Sequence, residues 1–190
     1  MSNVKNILLV GVGGQGTILV SKLLTQGLIR AGYDVKMSEV HGMAQRGGSV
    51  STQVRYGDKV YSPIIGRGQA DVLVAFEKME AVRYSELLKP DAVAVINDYE
   101  IMPMPVAAGQ AEYPANTIEA MQQNFRTIVV PAAEIAQELG NSRCMNVVLF
   151  GAMVKAFGMT DIDWAQVLRD TLPAKILDLN LKALERGMSL

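Results

Sequence analysis

The chain has 190 residues, a formal net charge of −1 and a sequence pI of about 5.9. This charge balance argues against a nucleic-acid-binding protein, because such proteins usually carry an excess of Lys and Arg. The single cysteine, Cys144, excludes a disulfide framework, and one thiolate cannot hold a zinc site or an iron–sulfur cluster.

The length and a hydrophobic content of 49% predict a single domain over residues 1–190 with enough apolar side chains for a core. The first residues, MSNVKN, lead directly into a strand pattern and show no signal-peptide features. The longest uncharged apolar stretch, residues 144–154, is too short to cross a bilayer. We therefore expect a soluble cytoplasmic protein with no membrane or nucleic-acid partner and no metal site of its own.

The N-terminal part of the chain predicts a β-α-β unit followed by a hairpin. Residues 6–10 predict a buried strand, residues 15–31 a helix and residues 33–39 a second strand. Residues 40–48, VHGMAQRGG, form a glycine-rich loop where another helix would be usual. The alternating residues 49–63 then predict a β-hairpin with its turn at Gly57-Asp58.

The remainder of the chain alternates buried strands with helices and ends in helices. Strand patterns cover residues 70–76, 92–98 and 126–131. Helical patterns cover residues 77–88, 117–125, 132–140 and 144–158; a further helix is capped by Asp161 or Asp163, and a last one follows Pro173. Lys89-Pro90-Asp91 predicts a turn, and residues 99–116 are irregular. The predicted fold is α/β, a Rossmann-like, doubly wound, mostly parallel sheet with a β-hairpin insertion and a helical C-terminal end.

The stretch ILLVGVGGQG, residues 7–16, predicts a phosphate-binding turn between a strand and a helix. Gly11, Gly13 and Gly16 match G-x-G-x-x-G, in which the glycines make the turn, admit a diphosphate and let helix and strand pack closely. Gly14 adds a further position without a side chain, and the Gln15 amide is predicted to donate another hydrogen bond to the diphosphate. The helix N-terminus supplies free N–H groups and a partial positive charge. The alternative is a tight strand-to-helix turn with no ligand.

Glu39 stands 23 residues after Gly16, near the end of the second strand. An acidic residue at that place holds a ribose hydroxyl in dinucleotide-binding proteins. The chain is nevertheless too short to add a separate catalytic domain, so a simple NAD-dependent dehydrogenase is not favoured.

The second glycine-rich loop carries polar side chains that we expect at the same crevice as the first. His41, Gln45 and Arg46 are candidates to line an active site, and Arg46, Gly47 and Gly48 are also candidate ligand-binding residues. Arg46 is suited to a phosphate or carboxylate, because a guanidinium donates two parallel hydrogen bonds. The alternative is a surface loop with a solvated arginine.

Two polar residues at the start of an apolar C-terminal helix have structural explanations. Cys144 begins an apolar helix, which predicts a buried structural thiol rather than a nucleophile. Asn146 opens the same helix, and its predicted role is a helix cap or an interface contact.

The segment GVGGQGTILVSKLL, followed by SEVHGMAQRGGSVSTQVRYG, resembles the gamma-type subunits of 2-oxoacid:ferredoxin oxidoreductases. The resemblance is greatest to the small beta subunit of the indolepyruvate enzymes. It covers essentially the whole chain and includes residues 70–83 and 146–158.

The resemblance implies a subunit that is inactive alone. Enzymes of this family decarboxylate a 2-oxoacid oxidatively, transfer the acyl group to coenzyme A and pass electrons to ferredoxin. Thiamine diphosphate and the iron–sulfur clusters are expected on a large partner subunit. This chain is expected to help bind coenzyme A, with the diphosphate at Gly11–Gly16 and the 3′-phosphate near Arg46, Arg55 or Arg67, and to close the active site. An indolepyruvate or aryl-pyruvate substrate is implied, and the isolated chain could form a homodimer.

Two other functions remain open from the sequence. One is a stand-alone Rossmann-type nucleotide-binding protein. The other is an E1-like adenylating protein, whose glycine motif is similar but which often needs additional cysteines.

Overall fold

The computed structural model describes residues 4–42 and 47–190. A six-stranded sheet forms its centre, in the order β2-β3-β1-β4-β5-β6. The strands are β1 (Lys5–Val12), β2 (Asp34–His41), β3 (Ser49–Gly57), β4 (Ala70–Ala75), β5 (Leu88–Asn97) and β6 (Arg126–Val130). β1, β4, β5 and β6 are parallel neighbours, whereas β3 runs antiparallel to both β1 and β2.

Eight α-helices accompany the sheet in the described part of the chain. They are α1 (Thr17–Arg30), α2 (Lys78–Arg83), α3 (Met104–Ala107), α4 (Thr117–Asn124), α5 (Ala132–Glu138), α6 (Met145–Ala156), α7 (Trp164–Thr171) and α8 (Ala174–Met188). Short 3₁₀ turns cover Ser85–Leu87 and Ser142–Cys144. Among the described residues, no helix is both long enough and apolar enough to cross a lipid bilayer.

The sheet is covered on both faces, which confirms the doubly wound α/β fold. Alternate residues of β1 point to opposite sides. Ile7 and Leu9 join a core with α1, α5, α6, α7 and α8, and Leu8 and Val10 join a smaller core with α2 and α4. The strands read as continuous apolar runs because both of their faces are buried.

The hairpin predicted within residues 49–63, with its turn at Gly57-Asp58, is wrong, because the hairpin pairs β3 with β2 instead. β3 covers residues 49–57 as one strand, and its hairpin partner is β2, with Asp34 opposite Gly57 and His41 opposite Val50. Residues 58–69 contain no strand; they cross the sheet face, where the Ile65 N–H donates to Gln53 Oε1 at 2.6 Å. The hairpin therefore consists of β2 and β3.

The turn predicted at Lys89-Pro90-Asp91 is wrong, because β5 begins earlier, at Leu88. The register between β4 and β5 shifts between the Ala70–Leu88 and Val72–Val93 pairs. Pro90 lies within this bulge, where the missing N–H of a proline does not interrupt a ladder. The predicted helix over residues 77–88 is also shorter, since α2 ends at Arg83.

Close packing at glycines fixes α1, α6 and α8. A Cβ atom at Gly27 of α1 would overlap the ring of Trp164. The same ring meets Phe150 of α6 edge-on, with 5.1 Å between the ring centroids. α6 and α8 cross at Gly151 and Gly187, where a Cβ atom would fall on the facing helix backbone. These contacts pack Trp164 between α1 and α6 and fix α6 against α8.

Candidate functional site

The glycine loop, Gly13–Gly16, lies at the carboxyl end of β1. β1 neighbours β4, and the helices that follow these two strands, α1 and α2, cover opposite faces of the sheet. In open α/β sheets the crevice outside the strand ends at such a point is the usual ligand site. The topology therefore places the loop where a ligand would bind.

Gly11 does not make the turn that the sequence predicted for it. It lies inside β1 opposite Val50. A Cβ atom there would lie 2.8 Å from Gln15 Oε1 and 2.9 Å from Phe76 Cβ. Its role is therefore close packing, and the turn begins after Val12.

The Gln15 side chain shapes the loop from within. Its Oε1 accepts from the Val12 N–H at 2.7 Å, and its Nε2 donates to the Phe76 carbonyl at 2.8 Å. These bonds join the glycine loop to the end of β4, and they leave one amide hydrogen for the donor role that the sequence predicted.

Gly13 brings the two glycine-rich loops together. Its N–H donates to the Gly48 carbonyl at 2.8 Å, and its carbonyl accepts from the Gly47 N–H at 3.3 Å. The two loops thus meet at one edge of the sheet, although this pairing occupies the N–H that the motif would offer to a diphosphate. The candidate residues Gln45 and Arg46 lie outside the described residues.

Gly14 and Gly16 have left-handed backbones, with φ of +104° and +81°. Nothing lies within 4 Å of a Cβ atom at Gly14, whereas one at Gly16 would overlap the Asn146 side chain of α6. The predicted close packing at the third glycine is thus against α6 rather than against β1. Asn146 Nδ2 donates to the Gly16 carbonyl at 3.2 Å.

Four backbone N–H groups at the start of α1 are unpaired within the described part of the chain. In residues 4–42 and 47–190, those of Gly14, Gly16, Thr17 and Ile18 have no protein acceptor. The first turn of α1 contains no acidic residue. Because unpaired N–H groups and the helix dipole favour negative charge, this end of α1 suits a phosphate or diphosphate.

The first cleft lies on the β2–β3 side of the glycine loop and has a volume of about 460 Å³. Its lining includes Thr17, Ile18, Glu39, Val40 and His41. Ile18 is 66% exposed, and Val40 is exposed as well, so much of the lining is apolar. Such a cleft accommodates a base or an alkyl chain beside a bound phosphate.

Glu39 and His41, both predicted site residues, line this first cleft. Glu39 Oε1 accepts from Ser21 Oγ at 3.1 Å and from Thr52 Oγ1 at 3.5 Å. The carboxylate is therefore oriented by α1 and β3, as a group that holds a ribose hydroxyl should be.

A partly buried network that the sequence reasoning missed holds the start of β3. Ser49 Oγ donates to Glu80 Oε2 at 2.5 Å, and Glu80 Oε1 accepts from Arg83 Nε at 3.0 Å. Ser49 follows Gly47 and Gly48, which pair with Gly13, so the network supports the contact between the two loops. No sequence pattern links Ser49 with Glu80, because 31 residues separate them.

A second cleft, of about 600 Å³, lies on the β5–β6 side of the glycine loop. Apart from Gln15, its polar side chains are ones that the sequence did not assign to a site, namely Tyr99, Gln137, Ser142, Arg143 and Asn146. They come from the segment after β5, from α5 and from the start of α6. The segment after β5 and α5 each follow a strand, which hinted at this location, whereas the start of α6 follows α5 and gave no such signal.

Two arginines proposed for a ligand phosphate lie elsewhere. Arg55 pairs in the sheet with Asn6, its Nε donates to Asn6 Oδ1 at 2.8 Å, and its Nη1 donates to the carbonyls of Ser62 and Ile64. Arg67 pairs with Glu86 at 3.3 Å. Both predictions are wrong, because these arginines stabilise loops away from the glycine loop.

The fold and the loop define an α/β protein of the Rossmann-like class with a glycine loop at the crevice outside its strand ends. The family model described as pyruvate ferredoxin/flavodoxin oxidoreductase matches residues 6–190, and the chain belongs to this family. The chain is a subunit of a 2-oxoacid:ferredoxin oxidoreductase, an enzyme that acts on an oxo group with ferredoxin as acceptor.

Similar proteins agree with this assignment. The chain is 43% identical to the indolepyruvate oxidoreductase subunit IorB of Archaeoglobus fulgidus, over 96% of this chain and 92% of the relative. The gamma subunit of a keto/oxoacid ferredoxin oxidoreductase from Geobacter sulfurreducens has the same fold, with a TM-score of 0.72, 24% identity and coverage of 97% of this chain and 96% of the other.

A larger protein contains the same fold. The 2-oxoglutarate:ferredoxin oxidoreductase from Magnetococcus marinus, solved with 2-oxoglutarate, coenzyme A and succinyl-CoA bound, matches with a TM-score of 0.76 and 22% identity. The match covers 100% of this chain and 31% of that chain.

Proposed function

We propose that this chain is the small subunit of an indolepyruvate or aryl-pyruvate ferredoxin oxidoreductase and helps to bind coenzyme A. The observation that carries the proposal is that the N–H groups of Gly14, Gly16, Thr17 and Ile18 have no acceptor among the described residues. Coenzyme A offers a diphosphate to these groups, and the apolar part of the first cleft suits its adenine or pantetheine portion. The Magnetococcus enzyme with coenzyme A bound supports this ligand class.

The chemistry of decarboxylation and electron transfer is assigned to a large partner subunit. Thiamine diphosphate supplies the carbanion chemistry there, and iron–sulfur clusters pass electrons to ferredoxin. Cys144 of this chain is 1% exposed, its Sγ donates to the Asn141 carbonyl at 3.1 Å, and burial raises the pKa of its thiol. It is suited neither to holding a cluster nor to acting as the nucleophile of an E1-like protein.

In this assignment the small subunit binds and orients coenzyme A and covers the active site of the large subunit. His41 and Glu39 line the first cleft, and with Gln45 and Arg46 they are the side chains proposed to face the ligand. We also propose that the complex is cytoplasmic.

Co-expression with the large subunit tests the proposal. We expect coenzyme A-dependent reduction of a ferredoxin surrogate by the purified complex and none by this chain alone. Indolepyruvate and phenylpyruvate should give a kcat/KM at least about tenfold above that of pyruvate, since an aryl pocket gains several kcal/mol from ring burial. The proposal fails if the large subunit alone shows the same KM for coenzyme A as the complex.

A further inference from the structure

Three exposed apolar side chains lie on the segment that joins β5 to α4. This β5–α4 segment covers residues 98–116 and contains α3. Tyr99 is 40% exposed, Met102 50% and Met104 80%. Tyr99 also lines the second cleft together with residues of the glycine loop, so the segment begins beside the candidate ligand site. Exposed methionines grouped in this way are typical of surfaces that bind other proteins.

The fully buried carboxylate of Glu77 holds the β5–α4 segment in place. Its Oε1 accepts from the Ile101 N–H at 3.3 Å and from the Tyr113 hydroxyl, so one group ties both ends of the segment to the start of α2. The Lys78 N–H donates to the Tyr99 carbonyl at 3.1 Å and adds a third tie. Because the segment is already ordered by these bonds, a partner that binds it has little conformational entropy to remove.

The β5–α4 segment is acidic. It contains three carboxylates and no Lys or Arg. Lys78 Nζ pairs with two of them, with Asp98 at 3.0 Å and with Glu100 at 2.7 Å. Glu112 is exposed and forms no ion pair with any described residue. One cation against three carboxylates leaves a net negative charge around the methionines, which fits a partner surface with an apolar centre and a basic rim.

The charge of the segment argues for the large subunit as this partner and against a second copy of the chain. In a twofold-symmetric dimer the same patch faces itself, so the carboxylates of the two copies would repel each other. On the proposed function the active site of the large subunit lies against the glycine loop. Tyr99 and Ile101 line the second cleft beside that loop, so the β5–α4 segment continues the same surface.

We propose that the β5–α4 segment is a docking surface for the large partner subunit. Met102 and Met104 enter an apolar pocket of that subunit, and Glu112 faces a basic side chain at the rim of the pocket. This proposal rests on the proposed function, which makes the chain the small subunit of a complex. It gives the β5–α4 segment the role of holding the subunits together, separate from ligand binding at the glycine loop.

Titration of the purified large subunit into the fluorescently labelled chain tests this surface. The double variant Met102→Ser/Met104→Ser should raise the Kd at least about twentyfold, since two buried anchors are lost. The matched control is Tyr61→Ser/Ile64→Ser, which removes side chains that are 89% and 55% exposed on the segment leaving β3 at the amino end of β1. Its Kd should stay within about threefold. Both variants should keep the urea unfolding midpoint of the unsubstituted chain, because the side chains removed are exposed.

Reversing one charge tests the basic rim. Glu112→Lys should raise the Kd at low salt at least about fivefold and weaken the rise of the Kd with added salt. Glu185→Lys is the matched control, because Glu185 is also exposed but lies on α8. Equal Kd values for these two variants at low salt would contradict the basic rim.

The docking surface is contradicted if the methionine variant binds the large subunit as tightly as its control, or if it abolishes only a self-association of the isolated chain. At saturating large subunit, the methionine variant should regain the kcat and the KM for coenzyme A of the unsubstituted complex. A KM that stays raised would place the methionines at the ligand and overturn the docking role. If the unsubstituted chain does not bind the large subunit, the proposed function fails as well; if it binds and only the methionine variant has no effect, the docking surface alone is wrong.

Discussion

Gly16→Ala is expected to lower the free energy of unfolding by about 2–4 kcal/mol, through a strained backbone and a steric overlap acting together. The φ of +81° at Gly16 disfavours any residue with a Cβ atom. The new methyl group would also overlap the Asn146 amide, which is buried and bonded to the Gly16 carbonyl. Urea unfolding of the isolated chain, or of the complex if the chain requires it, measures the change.

Gly32→Ala is the matched control for this prediction. Gly32 has a φ of +89°, but nothing lies within 4 Å of a Cβ atom there. Its substitution should cost only the backbone strain, about 1 kcal/mol. If Gly16→Ala costs no more than Gly32→Ala, the close packing between the glycine loop and α6 is wrong.

Gly187→Ala is expected to destabilise the chain by about 2 kcal/mol net, although alanine is the better helix former by about 1 kcal/mol. A Cβ atom at Gly187 would overlap the Val148 carbonyl oxygen and lie 3.0 Å from the Ala152 nitrogen. These are backbone atoms of α6, so relief requires α6 and α8 to separate. Because α6 also carries Asn146, the start of the helix would move away from Gly16.

Gly66→Ala provides a matched comparison for Gly187→Ala in the same unfolding experiment. Its Cβ atom would meet only the end of the Gln69 side chain, at 3.1 Å, which can move aside. Its free energy of unfolding should change by less than about 1 kcal/mol. Equal effects of the two substitutions would contradict the tight crossing of α6 and α8.

The buried strands and the glycine loop could be predicted because their signals are local. Continuous apolar runs such as residues 70–76 indicate strands covered on both faces, and the three glycines after β1 indicate a tight turn. The predicted hairpin is misplaced because the alternation of residues 49–63 fits two structures equally well. One is a pair of strands, and the other is a single strand followed by an extended segment that crosses the sheet face. Local alternation does not show which strand is the partner.

The individual glycine roles and the second cleft could not be predicted, since they depend on distant contacts. Gly13 pairs with Gly47 and Gly48, and Gly16 packs on Asn146, 130 residues away. That Arg55 lies away from the candidate ligand site likewise follows only from its hydrogen bond to Asn6. Such contacts depend on the order of the strands in the sheet and on the packing of α6. Neither can be predicted from local patterns in a single sequence.

The most direct test of coenzyme A binding at the glycine loop compares Gly14→Ala with Gly32→Ala in the assembled enzyme. Both glycines have left-handed backbones and open space at Cβ, but only Gly14 lies in the loop between the two clefts. We predict that Gly14→Ala raises the KM for coenzyme A at least about tenfold, because the methyl group and the shifted N–H groups disturb the diphosphate position. Gly32→Ala should leave that KM within about twofold. A KM for coenzyme A that is the same in both variants would contradict the assignment.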